Sequence, residues 1–227
     1  MQGPPGRQQK VGRFRHTTIA FLGYSHWQLR LIVCIMTQPF DALYYQRYYE
    51  DPDTRAASPE EQGAQVAFIA SYLRYLQIEV ATGLDIGCGT GAILHAFDEE
   101  FPDSVWLGIE FSEYLCATYG WCRGSVVDTE TSPADLVICS DVLGYLNDQD
   151  CTRALSNLTR LSKQALYLSV LTREDLDICD QDITDMSQII RPAEWYRAHL
   201  GEHFVSVGGG LFLRKPLQVP VWHMERV

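Results

Sequence analysis

The sequence predicts an α/β fold, a doubly wound and mostly parallel sheet with helices on both faces. Three observations carry this prediction. Apolar runs of strand length alternate with segments of helical period. A glycine-rich turn joins the first such strand to a helix. The 227-residue chain is 46% hydrophobic and 21% charged, enough to bury one core.

Taken in order, Ser58 is placed as an N-cap, with Pro59 at the first helical position and Glu61 as capping-box partner. Val66, Ile69, Leu73 and Leu76 then recur on one face to about Gln77. A strand follows at Gly83 to Ile86, then the glycine turn and a helix from about Thr90 to Asp98, which Phe101-Pro102-Asp103 breaks. Further strands are expected at Val105 to Glu110, Ser125 to Val127, Leu136 to Cys139 and Ala165 to Leu171. A helix from about Gln149 to Ser162 precedes the last of these. Pro192 opens a final helix through Leu200. Phe204 to Val207, Gly208-Gly209-Gly210 and Leu213 read as a terminal hairpin that adds an antiparallel edge. A turn at Lys215-Pro216 and a last segment, Val219 to Glu225, close the chain.

Charge divides the chain. Five basic residues (Arg7, Lys10, Arg13, Arg15, Arg30) and no acid fall in residues 1–35, whereas from residue 36 onward 13 basic residues face 29 acidic ones. The net charge of −11 and the lack of clustered Lys and Arg in the core argue against a nucleic-acid partner. The apolar stretch Leu31 to Met36 is far too short to span a bilayer, so no membrane partner is expected. Seven cysteines without a Cys-x-x-Cys pair fit a reducing compartment, and a cytoplasmic location is expected. Residues 1–35 read either as an Arg-rich targeting peptide or as a poorly ordered extension upstream of Met36 as the working start. The scarcity of Ser favours the second. One domain is expected over residues 36–227.

The sharpest feature is Leu84-Asp85-Ile86-Gly87-Cys88-Gly89-Thr90-Gly91, three glycines at alternate positions between a strand and a helix. They let the backbone approach a ligand closely beyond the strand's carboxyl end. Gly87, Gly89 and Ala92 also satisfy the relaxed dinucleotide fingerprint, which keeps a nicotinamide-dependent oxidoreductase as an alternative. Asp85 weighs against it, because a carboxylate there would crowd a pyrophosphate but suits a ligand carrying an ammonium group. Glu110 ends the second strand, where a carboxylate can accept hydrogen bonds from a ribose diol. Phe111 can lie against an adenine face, and Asp128, ending the expected third strand, is placed to accept from an adenine amino group.

With these residues, and with Asp135 to Leu143 as a fourth-strand motif, residues 80–146 resemble the class I S-adenosylmethionine-dependent methyltransferases. Their Rossmann-like, seven-stranded sheet with an antiparallel last strand also fits the tail, so the resemblance extends over roughly residues 40–227. It implies S-adenosylmethionine as cofactor, S-adenosylhomocysteine as product, and Asp85, Gly87, Cys88, Gly89, Gly91, Glu110, Phe111, Asp128 and Ser140 as its binding residues. It is silent on the acceptor. Relatives that methylate planar amino nitrogens of DNA bases or glutamine carry Asn or Asp followed by Pro-Pro and an aromatic. This chain has Cys139-Ser140-Asp141-Val142, which argues against those substrates.

Asp141 is the best-placed candidate base, with capping of the following turn as its alternative role. Three regions are candidates for an acceptor pocket. The first is the aromatic run Tyr44-Tyr45-Gln46-Arg47-Tyr48-Tyr49, from which Tyr44, Tyr45 and Tyr49 are taken. The second is Thr172 to Ile190, with six acids and one base, Arg173. It is either a solvated acidic loop or one that selects a cationic acceptor. The third holds Trp195 and Tyr196, adjacent on a helix so that one of them can face the cleft. His199 and His203 have the spacing of a metal pair, but no carboxylate pattern completes a site and no metal is expected. The function expected is methyl transfer to oxygen or nitrogen of a small molecule by a monomer or homodimer. The alternative class is a noncatalytic subunit that keeps the cofactor fold.

Overall fold

The structure is a computed structural model and describes residues 40–222. The expectations for residues 1–35 and for 223–225 lie outside the described residues. The chain enters through α1 (Ala42–Tyr45) and a π-helical turn (Gln46–Glu50), with the Asp41 side chain accepting from the Tyr44 N–H. Helix α2 (Pro59–Tyr75) starts as expected. The Ser58 hydroxyl accepts from the Glu61 N–H at 3.1 Å, the Glu61 carboxylate accepts from the Ser58 N–H at 2.8 Å, and Pro59 has no N–H to leave unpaired. It ends two residues before Gln77, which takes a positive φ of 57° and turns the chain toward the sheet.

Seven strands form one sheet in the order β3-β2-β1-β4-β5-β7-β6. Strands β1 (Thr82–Ile86), β2 (Val105–Glu110), β3 (Cys122–Arg123), β4 (Ala134–Ser140) and β5 (Ser162–Ser169) pair in parallel. Strand β7 (Leu211–Arg214) runs antiparallel between β5 and β6 (Phe204–Ser206). The sheet is buried on both faces, and each central strand divides its side chains with period two. Leu136, Ile138, Ala165 and Tyr167 join α2 residues Val66, Ile69 and Leu73 in one core. Val137, Cys139, Leu166 and Leu168 join Leu155, Leu158 and Leu161 of α5 (Asp148–Leu161) in the other. Helix α3 (Ala92–Glu100) contributes Phe97 to the first core, and α6 (Ala193–Leu200) contributes Tyr196 and Leu200 to the second.

Two departures concern the region after β2. Helix α4 (Glu113–Tyr119) is absent from the sequence reading, although it is capped at both ends, by the Ser112 hydroxyl and by Gly120 at φ 77°. The third strand is Cys122–Arg123, not Ser125 to Val127. Gly120 returns the chain directly to the sheet edge, and residues 126–128 form a turn in which the Thr129 N–H reaches the Ser125 carbonyl at 2.9 Å. Val126 is buried without being in a strand, which is what made the segment look like one. The tail residues Val219 to Trp222 carry no strand. Among the described residues no helix is long and apolar enough to cross a membrane.

Candidate functional site

At the carboxyl ends of β1, β2 and β4 lies a cleft of about 400 Å³, within the range typical of small-molecule sites. Its floor is the glycine turn. Gly87, Gly89 and Gly91 all have positive φ (82°, 56° and 85°), and each is glycine for its own reason. A Cβ on Gly87 would collide with Val142, and one on Gly91 would stand 2.5 Å from the Trp121 ring. One on Gly89 would meet nothing nearer than Tyr49, 3.9 Å away across the cleft. Gly87 and Gly89 line the cleft; Gly91 supports the turn from behind.

Glu110 is the buried acid of the site. Its two oxygens accept from the Gly89 N–H at 2.8 Å and the Ser112 N–H at 2.7 Å, which fixes the carboxylate at the cleft wall and ties the end of β2 to the glycine turn. A carboxylate has about four acceptor positions, so lone pairs remain for a ligand. Phe111, 56% exposed, lies on the same wall, and Gly124, Ser125 and Val126 complete it.

Four of the expected cofactor residues are not in the cleft lining. Asp85 lies beneath the turn, 2% exposed, and burial together with the Glu110 charge pushes its pKa up to about 8. Cys88 is buried behind the turn, and burial pushes its thiol up as well. Gly91 is the third. Asp128 is the fourth: because β3 ends at Arg123, four residues before the expected Val127, it sits in an exposed turn and not at a strand end.

The opposite wall comes from β4 and the entry segment. Ser140 and Asp141 end β4. The Ser140 hydroxyl donates to Asp141 at 3.3 Å and lies 2.7 Å from the Ser169 hydroxyl at the end of β5. Asp141 adopts φ 55° and opens into the cleft. The protein atoms crowding its carboxyl raise its pKa, while the Ser140 and Ser169 hydroxyls act in the other direction. Tyr44, Tyr45 and Tyr49 line the roof, joined by Phe40 and Tyr145. The Tyr145 hydroxyl donates to Asp185 at 2.9 Å, and the Tyr44 hydroxyl, 2.8 Å from it, is left to donate to Tyr145. Burial pushes Tyr44 up to about 12, and Tyr145 rises further, so both keep their protons. Asp185 is thus the acid of the 172–190 segment tied to the cleft roof. Glu174 accepts from the Ala193 N–H at the start of α6, and Asp175 accepts from Thr172.

The remaining acceptor candidates stand elsewhere. Arg173 is exposed, its backbone joined to Arg191. Trp195 and Tyr196 both pack on the core below the sheet, so neither enters the cleft. The Trp195 ring sits edge-on to Tyr196, between the Arg191 guanidinium at 4.9 Å and the His199 ring at 4.2 Å. His199 Nδ1 lies 2.7 Å from the Trp195 carbonyl, and among the described residues no group of three His, Cys, Asp or Glu could hold a metal.

Arg191 had no role in the sequence reading. Buried at 4% exposure, it donates to the carbonyls of Leu143 (3.3 Å) and Leu146 (2.6 Å) and pairs with Asp148 at 2.9 Å. It therefore holds the turn that carries Tyr145. The signal was the arginine itself, set between an acidic loop and Pro192. Tyr145 was legible only as part of a turn.

Residues 84–165 match the family model described as a methyltransferase domain. Solved structures share the fold at low identity. DesVI from Streptomyces venezuelae is 18% identical with a TM-score of 0.51, covering 77% of this chain and 96% of its own. A sugar N-methyltransferase from Streptoalloteichus is 16% identical with a TM-score of 0.54, covering 89% and 98%. The magnesium protoporphyrin IX methyltransferase from Synechocystis, solved with bound S-adenosylmethionine, is 16% identical with a TM-score of 0.53, covering 86% and 100%. A search of curated proteins found no match. The matched stretch spans the glycine turn, Glu110 and β4, so residues 84–165 are similar to a methyltransferase domain, and the chain as a whole shares the fold of the solved methyltransferases.

Proposed function

We propose that the cleft binds S-adenosylmethionine and that the protein transfers its methyl group to oxygen or nitrogen of a small molecule, releasing S-adenosylhomocysteine. The observation that carries the reading is the Glu110 carboxylate, held by two backbone N–H groups beside a glycine whose missing side chain leaves the cleft open. In this reading Glu110 accepts from the ribose hydroxyls, Phe111 covers the adenine, and Gly87 and Gly89 let the backbone approach the methionyl part. The cofactor supplies a methyl on a sulfonium, whose positive charge disperses as the methyl leaves.

What remains for the chain's residues is alignment, exclusion of water and removal of a proton. The roof of Tyr44, Tyr45, Tyr49 and Tyr145 excludes water. Asp141, open to the cleft and with its pKa raised from the ordinary Asp value by the protein atoms around it, is the proposed base. Incubation with methyl-labelled S-adenosylmethionine and a small-molecule extract tests the activity. Transfer of label is expected in wild type and its loss in Asp141→Asn. A folded, cofactor-binding protein that transfers nothing would instead support the noncatalytic alternative.

A further inference from the structure

A second cavity, of about 530 Å³, opens at the carboxyl end of β5 and is bounded by the glycine loop between β6 and β7. It shares a wall with the cofactor cleft. Ser169 lines the second cavity, Ser140 and Asp141 line the first, and the Ser140 and Ser169 hydroxyls are 2.7 Å apart. Ser140 and Ser169 are paired neighbours on β4 and β5, so the two cavities adjoin along the carboxyl ends of these strands. Side chains that can hydrogen-bond to hydroxyls stand among the lining of the second cavity: Gln65, Tyr167, Thr172 and Tyr196.

Charge decides the class of ligand. Among the described residues lining the two cavities, the carboxylates Glu110, Asp141, Glu174 and Asp175 stand against one cation, Arg197. That guanidinium is already paired with Glu194 at 3.0 Å. An acceptor carrying a carboxylate or phosphate would enter without a free counter-charge, which disfavours it. A protonated amine meets the opposite situation.

We infer that the second cavity receives the methyl acceptor and that the acceptor is a hydroxylated alkyl amine, methylated on nitrogen. This rests on the methyl-transfer reading above and adds the place, the class and the atom. The ammonium group passes one proton to the Asp141 carboxylate. The freed nitrogen lone pair forms the new N–CH3 bond as the S–CH3 bond breaks, leaving neutral thioether and a protonated methylamine. The product leaves as the methylammonium cation, and Asp141 discharges the one released proton to solvent.

The test uses the full chain, methyl-labelled S-adenosylmethionine and the metabolite fraction of source cells, with products separated by charge at pH 7. Label in the cationic fraction, stable to base, is expected. Label in anionic or neutral products, or released by base as methanol, overturns the amine assignment. S-adenosylhomocysteine binding is measured alongside, so that absent transfer with intact binding counts against the acceptor site and absent binding counts against the cofactor reading.

Gln65 lies on the exposed side of α2 at the cavity rim and supplies a charge test. Gln65→Glu is expected to raise, and Gln65→Lys to lower, transfer at low acceptor concentration by several-fold each, with S-adenosylhomocysteine affinity unchanged. A purely structural role would move both variants the same way. Parallel or absent effects in two folded variants overturn the proposal.

Discussion

Replacing Gly87 by Ala would drive a Cβ into Val142 at a backbone φ of 82°, whereas the same change at Gly89 leaves 3.9 Å to the nearest ring. The left-handed conformation alone costs about 1–2 kcal/mol, and overpacking adds about 1–3 kcal/mol. Gly87→Ala should therefore lose about 3 kcal/mol of stability in denaturant melts. Gly89→Ala should lose about 1 kcal/mol and show its main effect in ligand affinity. Asp85 gives a prediction with a sign. Its folded pKa of about 8 stands above the unfolded value of roughly 3.9, so the folded state keeps a proton that the unfolded chain sheds across that window. The folded state binds more protons, and stability must fall as pH rises from about 4 to about 8. Asp85→Asn does not titrate. Its melting temperature should exceed that of wild type at pH 8, with the gap closing toward pH 4; a gap independent of pH would contradict the burial argument. The glycines and Glu110 were legible because backbone approach and a strand-end acid are local properties. The depth of Asp85 and Cys88 was not, because it depends on how β2 and the turn stack above them.

At the level of elements, three separate segments meet over the cleft through single side chains. The hydroxyl chain from Tyr44 through Tyr145 to Asp185 joins α1, the turn after β4 and the loop after β5. A double-mutant cycle on Tyr44→Phe and Tyr145→Phe should return a coupling of about 0.5–1.5 kcal/mol, the range for a partly buried hydrogen bond. Zero coupling would mean that the roof is held by ring packing alone. Arg191→Met leaves the Leu143 and Leu146 carbonyls without their donor while Asp148 relaxes into solvent. A loss of about 3 kcal/mol is expected in denaturant melts. The same loss in Arg191→Lys would show that the planar fork matters and not only the charge. The missed helix α4 and the misplaced third strand have one cause. Seven residues and two residues are too short for periodicity to register, and Val126 supplied an apolar signal from a turn. The long elements, α2 with its capping box and the two-faced apolar runs of β4 and β5, were readable because their patterns repeat.

For the whole molecule, the order of strands is what assembles the site. Strands β1 and β4 are neighbours although some fifty residues separate them in sequence. That crossover opens the crevice where the glycine turn, Glu110 and Asp141 converge. The sequence motifs told which carboxylates to expect near a cofactor. They could not tell that the acceptor candidates would part company, with the tyrosine run over one cavity, Tyr196 beside another, and Arg173 outside both. Side chains that meet across the sheet carry no mark of it in the linear order.

The most direct measurement is calorimetric titration of S-adenosylhomocysteine into the wild-type protein and Glu110→Ala, with circular dichroism confirming that both are folded. Binding at one site per chain by wild type and at least a hundredfold weaker binding by Glu110→Ala is the predicted result. A folded wild-type protein that takes up no S-adenosylhomocysteine, or a Glu110→Ala variant that binds it equally well, would contradict the assignment of this cleft.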